Sequence, residues 1–291
     1  MSALDLVKLS SLMQLTKGRA EIVVGLIDGP VAISHADLSA EKIREIPGTL
    51  RGACARANSV ACMHGTFVAG ILCAKRDSKA PAICPDCTLV VRPIFAEANS
   101  AHERMPSATP EELATAVIEC VKAGARIINL SAALAEPSSK HEGKLQEAFD
   151  YAARYSAIVV AAAGNQGMLG SSAIIRHSSV IPVAACDLQG RPLGESNLGR
   201  SIGRRGLMAP GVAITSLGTN GKPQTLGGTS AAAPFVTGAI ALVWSEFPGA
   251  SAAEIKSAVT GAAPARRRTI APPLLNAWAA YEAMNSTRAR S

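Results

Sequence analysis

The sequence predicts an α/β fold in three layers, with a mainly parallel central sheet flanked by helices. Two observations point there. Short β-branched and aliphatic runs alternate with helix-like stretches along most of the chain, the order that crossover connections between parallel strands produce. Hydrophobic residues make up 48% of the 291 residues but aromatics only 3%, so Val, Ile, Leu and Ala must fill the core, and small side chains let helices lie close on both sheet faces. No composition shift or internal repeat marks a second domain. Residues 21–284 therefore read as one unit, after an N-terminal helical extension over 1–20 and before a flexible tail over 285–291.

The first strand is the run EIVVGLI at 21–27, which stops at Asp28-Gly29-Pro30 and leaves Asp28 at a strand's C-terminal end. Residues 64–74 are predicted helical, with Gly65, Ala69 and Gly70 on a closely packed face, and 88–94 form the next strand. A helix over 110–123 has Thr109 as N-cap, Pro110 in its first turn, and Glu111 and Glu112 complementing its dipole. Strands at 126–130, 157–163 and 180–185 alternate with a helix at 140–155. The long small-residue stretch 229–247 is a helix ended by Pro248, and amphipathic helices follow at 252–260 and 273–284.

The formal net charge of +7 is scattered, and its one dense run is Arg266, Arg267 and Arg268. No aromatics interleave with that run, which argues against single-stranded nucleic acid and for a solvated turn. The N-terminus lacks a basic start followed by an apolar stretch and a cleavage site, and no apolar run approaches a membrane span. A cytoplasmic protein with neither nucleic-acid nor membrane partners is expected. Of seven cysteines, Cys73, Cys120 and Cys186 lie in apolar segments as core residues. For Cys54, Cys62, Cys84 and Cys87, three states remain open: free thiols, disulfides, or a four-thiolate zinc site.

Amide hydrolysis needs a nucleophile, a base, a group that orients the base, and donors for the oxyanion. Ser230 stands in GGTSAAAP at the start of the long small-residue helix, where the dipole favours developing negative charge. His64, followed by Gly65 in HGTFVAG, offers an imidazole suited to base catalysis. Asp28 can receive an imidazole N–H, and Asn165 in AAAGN can donate its amide to an oxyanion. Taken singly, each has a plainer reading: Ser230 an N-cap, His64 a structural histidine, Asp28 a turn residue, Asn165 a left-handed loop residue.

Together, GLIDG at Asp28, HGTFVAGI at His64, AAAGNQG at Asn165 and GGTSAAAPFVTG at Ser230 resemble the four signature segments of subtilases. Their Asp, His, Ser chain order is the subtilisin one. The resemblance covers about residues 20–284. It implies a subtilisin-like fold, with Asp28, His64 and Ser230 as catalytic triad and Asn165 with the Ser230 N–H as oxyanion hole. Ser131, Ala132, Ala133, Leu134 and Gly164 would bind an extended peptide substrate. No cofactor is implied. Calcium held by loop carbonyls stays open, since no D-x-D-x-D-G pattern occurs.

Several positions depart from the family pattern. Gly29 replaces the usual Ser or Thr, Phe67 the second histidine, and Ala231 and Phe235 the Met and His of the serine helix. None of these removes a proton-transfer group, so activity is expected. Ser131-Ala132-Ala133-Leu134 stands where Ser-Leu-Gly-Gly is common, and a methyl replacing a groove glycine should narrow the first specificity pocket. Within subtilases, residues 27–31, the Cys84-Pro85-Asp86-Cys87 neighbourhood, residues 91–95 and residues 272–276 are similar to cyanobactin-type maturation proteases, which cut leader or follower segments from ribosomal precursor peptides. The short stretch from Asp28 to His64 leaves little room for a macrocyclase capping insert, so the leader-cleaving kind is the better match. Nothing like a folding propeptide precedes residue 21. An acidic precursor peptide suits the positive charge. The other readings are a general protein-turnover subtilase, an inactive peptide-binding relative, and an enzyme that attacks only esters.

Overall fold

The computed structural model describes residues 1–48, 50–97, 108–131, 142–261 and 269–288. Seven strands form one parallel sheet: β1 (Val23–Asp28), β2 (Ile43–Glu45), β3 (Thr88–Pro93), β4 (Ile127–Leu130), β5 (Ile158–Ala162), β6 (Val180–Cys186) and β7 (Leu207–Pro210). Their spatial order is β2-β3-β1-β4-β5-β6-β7. Successive connections therefore run one way from β1 to reach β3, then the other way from β4 to β7. Chain direction across the sheet reverses between β1 and β4, which is where open α/β sheets bind ligands. A short antiparallel pair, β8 (Ile214–Ser216) and β9 (Gln224–Leu226), lies apart from this sheet.

The helices are α1 (Ala3–Leu6), α2 (Leu9–Leu15), α3 (Val60–Cys73), α4 (Pro110–Lys122), α5 (Glu142–Arg154), α6 (Ala173–Arg176), α7 (Arg200–Arg205), α8 (Thr229–Glu246), α9 (Ala252–Thr260) and α10 (Ala277–Arg288). They cover both sheet faces. One core cluster joins Leu9, Leu12, Phe67, Ile71, Phe235 and Ile240 to the sheet; the other joins Leu113, Val117, Leu145, Phe149 and Ile202 to its opposite face. The three-layer expectation holds. α8 is apolar all round and lies buried all round, as such a helix must. No helix among the described residues is long and apolar enough to cross a membrane.

Three element boundaries differ from the expected ones. α3 begins at Val60, four residues before His64, because the Ser59 hydroxyl caps it by accepting the Cys62 N–H. Residues 273–276 are extended, not helical. Pro272 and Pro273 lack N–H groups, and the chain instead pairs with β7: Met208 N–H donates to Pro273 O at 2.7 Å and Leu275 N–H to Met208 O at 2.9 Å. The last helix starts at Ala277, where the Asn276 side chain accepts the Ala279 N–H. It continues through residues 285–288, so this part of the expected tail is helical, with Thr287 Oγ donating back to Ala283 O at 3.0 Å, while residues 289–291 lie outside the described residues. Within residues 1–20, α1 and α2 are helical, and Val7, Leu9 and Leu12 are fully buried against the body. The Arg266–Arg268 run lies outside the described residues.

β1 and α3 approach so closely that only glycine fits between them. A Cβ on Gly29 would lie 2.0 Å from Ala61 O, and one on Gly65 would lie 2.4 Å from both Gly29 O and Pro30 O. This explains why Gly29 stands where a hydroxyl residue is usual. Gly65→Ala is expected to cost about 3 kcal/mol, because the obstacles are backbone atoms that cannot rotate away; urea denaturation reads this directly.

Candidate active site

Asp28 is the last residue of β1 and wholly buried. His64 lies in the second turn of α3, so its ring hangs over the strand end. Its Nδ1 is 2.6 Å from Asp28 Oδ1, and its Nε2 is 3.0 Å from Ser230 Oγ. Ser230 is the second residue of α8, after the N-cap Gly228, so its N–H has no carbonyl one turn back to bond. Residues 28, 64 and 230 thus form one hydrogen-bonded line. Asp28 Oδ1 also accepts the Gly29 N–H at 2.6 Å, while Oδ2 is buried with no partner among the described residues. The turn reading of Asp28 and the N-cap reading of Ser230 are both set aside.

The His64 side chain is only 12% exposed. Burial opposes its protonation, but the charge of Asp28 and the hydrogen bond to it outweigh that, and the imidazole pKa is held above its ordinary value. Neutral His64 carries its proton on Nδ1, toward the carboxylate, which leaves the Nε2 lone pair facing the serine hydroxyl.

Asn165 follows β5 and does not adopt the left-handed conformation. Its Oδ1 accepts both the Thr229 N–H at 2.8 Å and the Thr229 hydroxyl at 2.9 Å. Two donors on one atom fix the amide orientation and leave Nδ2 as the end free to donate. Gly228, at φ +92°, gives Nδ2 room: a Cβ there would lie 2.7 Å from it. Gly164, at φ +103°, has its N–H donating to Thr229 Oγ at 3.1 Å and its carbonyl accepting the Asn197 N–H at 2.8 Å. Its hydrogen-bonding groups thus face the protein, and a Cβ there would lie 2.4 Å from Asn197 Nδ2 and 2.6 Å from Gln166 Oε1, so the missing side chain makes room for those two residues.

Ser131 follows β4, beyond the last ladder pairs of Leu130 with Ile27 and Ala161. Its side chain is buried and accepts from Asn129 Nδ2 at 2.8 Å, while Asn129 Oδ1 accepts from Thr237 of α8 at 2.8 Å. That buried chain ties the strand end to the serine helix. Ala132, Ala133 and Leu134 lie outside the described residues. Thr229, Thr237 and Asn197 carry no sequence signal of their roles. Asn197 Oδ1 accepts the Gln166 and Met168 N–H groups at 3.1 and 2.9 Å, shaping the loop after Asn165. Its partners lie some thirty positions away, and no local pattern marks them.

Cys54 and Cys62 form a disulfide with Cα atoms 5.6 Å apart, joining the loop before α3 to its first turn. Cys84 and Cys87 are free and buried, like Cys73, Cys120 and Cys186. The four cysteines of the possible zinc site therefore do not converge. Among the described residues, one group of His, Cys, Asp and Glu ligand atoms is close enough to hold an ion: Cys54, Cys62 and Glu97. Two sulfurs do not suit calcium.

A buried carboxylate, an imidazole and a hydroxyl in line, with an amide beside them at the carboxyl edge of a parallel sheet, make the arrangement of a serine hydrolase. The subtilase family model matches residues 19–279. The chain belongs to that family and is a subtilisin-like serine protease. It is 31% identical to subtilisin DY of Bacillus licheniformis over 249 residues, 84% of either chain. It is also 31% identical to the thermophilic serine proteinase of Bacillus sp. strain AK1, but spans only 57% of that protein. Among solved structures it is similar to the protease domain of PatA in an alanine-mutant form, with TM-score 0.82, 30% identity, and 93% and 97% of the two chains covered. It is likewise similar to the prenylagaramide maturation protease PagA, with TM-score 0.80, 28% identity, and 94% and 98% covered.

Proposed function

We propose that this protein is a site-selective serine endopeptidase that processes a ribosomal precursor peptide, with Ser230 as nucleophile, His64 as base and Asp28 as the group that orients His64. The observation that carries the catalytic part is the line of contacts at 2.6 and 3.0 Å joining the three side chains. Ser230 Oγ attacks the scissile carbonyl while His64 Nε2 takes its proton, and buried Asp28 balances the imidazolium. The oxyanion receives the Ser230 N–H and Asn165 Nδ2. His64 then returns the proton to the leaving amine, and water resolves the acyl-enzyme by the reverse sequence. The substrate lies extended along the backbone from Ser131, as an added strand.

Asn165→Ala is expected to lower kcat by about 10²–10³-fold with little change in KM, because Nδ2 meets the oxyanion only once it forms. Steady-state kinetics on a chromogenic peptide separates the two constants.

Likeness to the maturation proteases PatA and PagA supports a precursor-peptide substrate. The net charge of +7 favours an acidic segment on that peptide, and a cytoplasmic location goes with the same reading. The test offers an acidic precursor peptide and casein side by side, with products read by mass spectrometry. Cleavage of the precursor at one position with casein intact is expected. Casein cut at many sites as fast as the precursor would overturn selectivity and favour general protein turnover.

A further inference from the structure

We propose that the Cys54–Cys62 pair, when reduced, joins Glu97 in binding one thiophilic divalent cation of the zinc class, so that disulfide and metal are alternative states of one site. The two sulfurs and a Glu97 carboxylate oxygen all lie within 4.8 Å of one another. Zinc bound to two thiolates and a carboxylate would set these atoms about 3.5–3.8 Å apart, so once the S–S bond is broken the sulfurs must part by roughly 2 Å and the carboxylate oxygen must close in by up to about 1 Å.

Glu97 is held for such a role. Its Oε2 accepts the Ala55 N–H at 2.9 Å, and its Oε1 accepts the Arg56 N–H at 2.7 Å and the Ser59 hydroxyl at 3.4 Å, bonds that aim the carboxylate and leave a lone pair free on Oε2. Cys62 is the third residue of α3, where the partial positive charge of the helix start favours an anionic sulfur. Cys54 and Glu97 are half-exposed, so an ion can enter, and water can fill the fourth position. Two sulfurs and one oxygen select zinc over calcium or magnesium. In a reducing compartment the pair would stand as thiols, the form that binds. The site adjoins the catalytic base in sequence, since Cys62 lies two residues before His64.

The test starts by reducing the full chain with a water-soluble phosphine. The S–S bond breaks, phosphorus supplies two electrons, water supplies the oxygen of the phosphine oxide, and two protons go to the sulfurs. After anaerobic removal of the reagent, zinc is titrated against a chromophoric chelator, and cobalt is added separately to read thiolate-to-cobalt charge transfer. The reduced protein is expected to bind one zinc per chain and to show the band; the oxidised protein should do neither. Glu97→Gln should weaken binding by at least about tenfold, since even an outer partner of a metal ligand is worth about 10–100-fold. Cys54→Ser, at the more exposed sulfur, should remove the cobalt band while leaving the other six cysteines in place. The proposal is overturned if reduced protein takes up no stoichiometric zinc at micromolar concentration, or if oxidised protein binds equally well. Unchanged affinity in Glu97→Gln and Cys54→Ser would also overturn it by placing the metal elsewhere. Circular dichroism identifies a variant that has not folded, and the near-isosteric Glu97→Gln then carries the test.

Discussion

Ser230→Ala is expected to lower kcat for peptide hydrolysis by about 10⁶-fold, the size of the loss that removing the triad serine causes in subtilisin itself. The change should be almost pure chemistry. Ser230 sits at the first turn of α8 with its side chain turned to His64 and only partly buried, so losing one hydroxyl opens no core cavity. KM and melting temperature should therefore stay near wild type. What survives should be the contribution of the oxyanion donors and of substrate positioning, about 10³-fold above water. Because Ser230 and His64 act as one unit, adding His64→Ala to the variant should cost almost nothing more.

Asp28→Asn is expected to lower kcat by about 10⁴-fold, again a magnitude known for triad proteases including subtilisin. Here the surroundings explain why neither amide orientation works. With the oxygen toward His64 and the Gly29 N–H, the imidazole tautomer is kept, but no charge balances the imidazolium and an NH₂ group lies buried where Oδ2 has no partner. With the nitrogen toward His64, the amide opposes the Gly29 N–H and forces the imidazole proton onto Nε2, where it cannot accept from Ser230. The pH profile gives a second readout. Activity needs neutral His64, so kcat/KM rises with pH through a pKa that burial lowers and Asp28 more than restores. Removing the carboxylate leaves burial alone, and the acid limb must move to lower pH. A limb that stays in place would mean that Asp28 does not set the His64 pKa.

The layer architecture was legible because aliphatic runs and capped helices repeat in an α/β order. Thr109 with Glu112 forms the capping box that marks α4, and Ala252–Thr260 falls where its periodicity put it. Asp28, His64, Asn165 and Ser230 were legible only as a set, through the segments around them. The true start of α3 does have a signal, Ser59 before an apolar run, but His64-Gly65 imitates a helix start four residues later and masks it. The extended stretch at 273–276 is a tertiary effect: an edge of β7 claims its backbone, which no local pattern could reveal. Thr229, Thr237 and Asn197 were hidden for the same reason, since each acts through one hydrogen bond or more to a partner far along the chain. The Cys54–Cys62 pairing depends on how the loop returns to the helix.

The whole reading depends on an imidazole, steadied by a buried carboxylate, drawing the proton from one serine hydroxyl. Labelling with a fluorophosphonate, followed by peptide mapping, tests that most directly. One label per chain, located on Ser230 and missing from Ser230→Ala, is the predicted result. Labelling that persists in Ser230→Ala, or falls on another residue of the wild type, would contradict it.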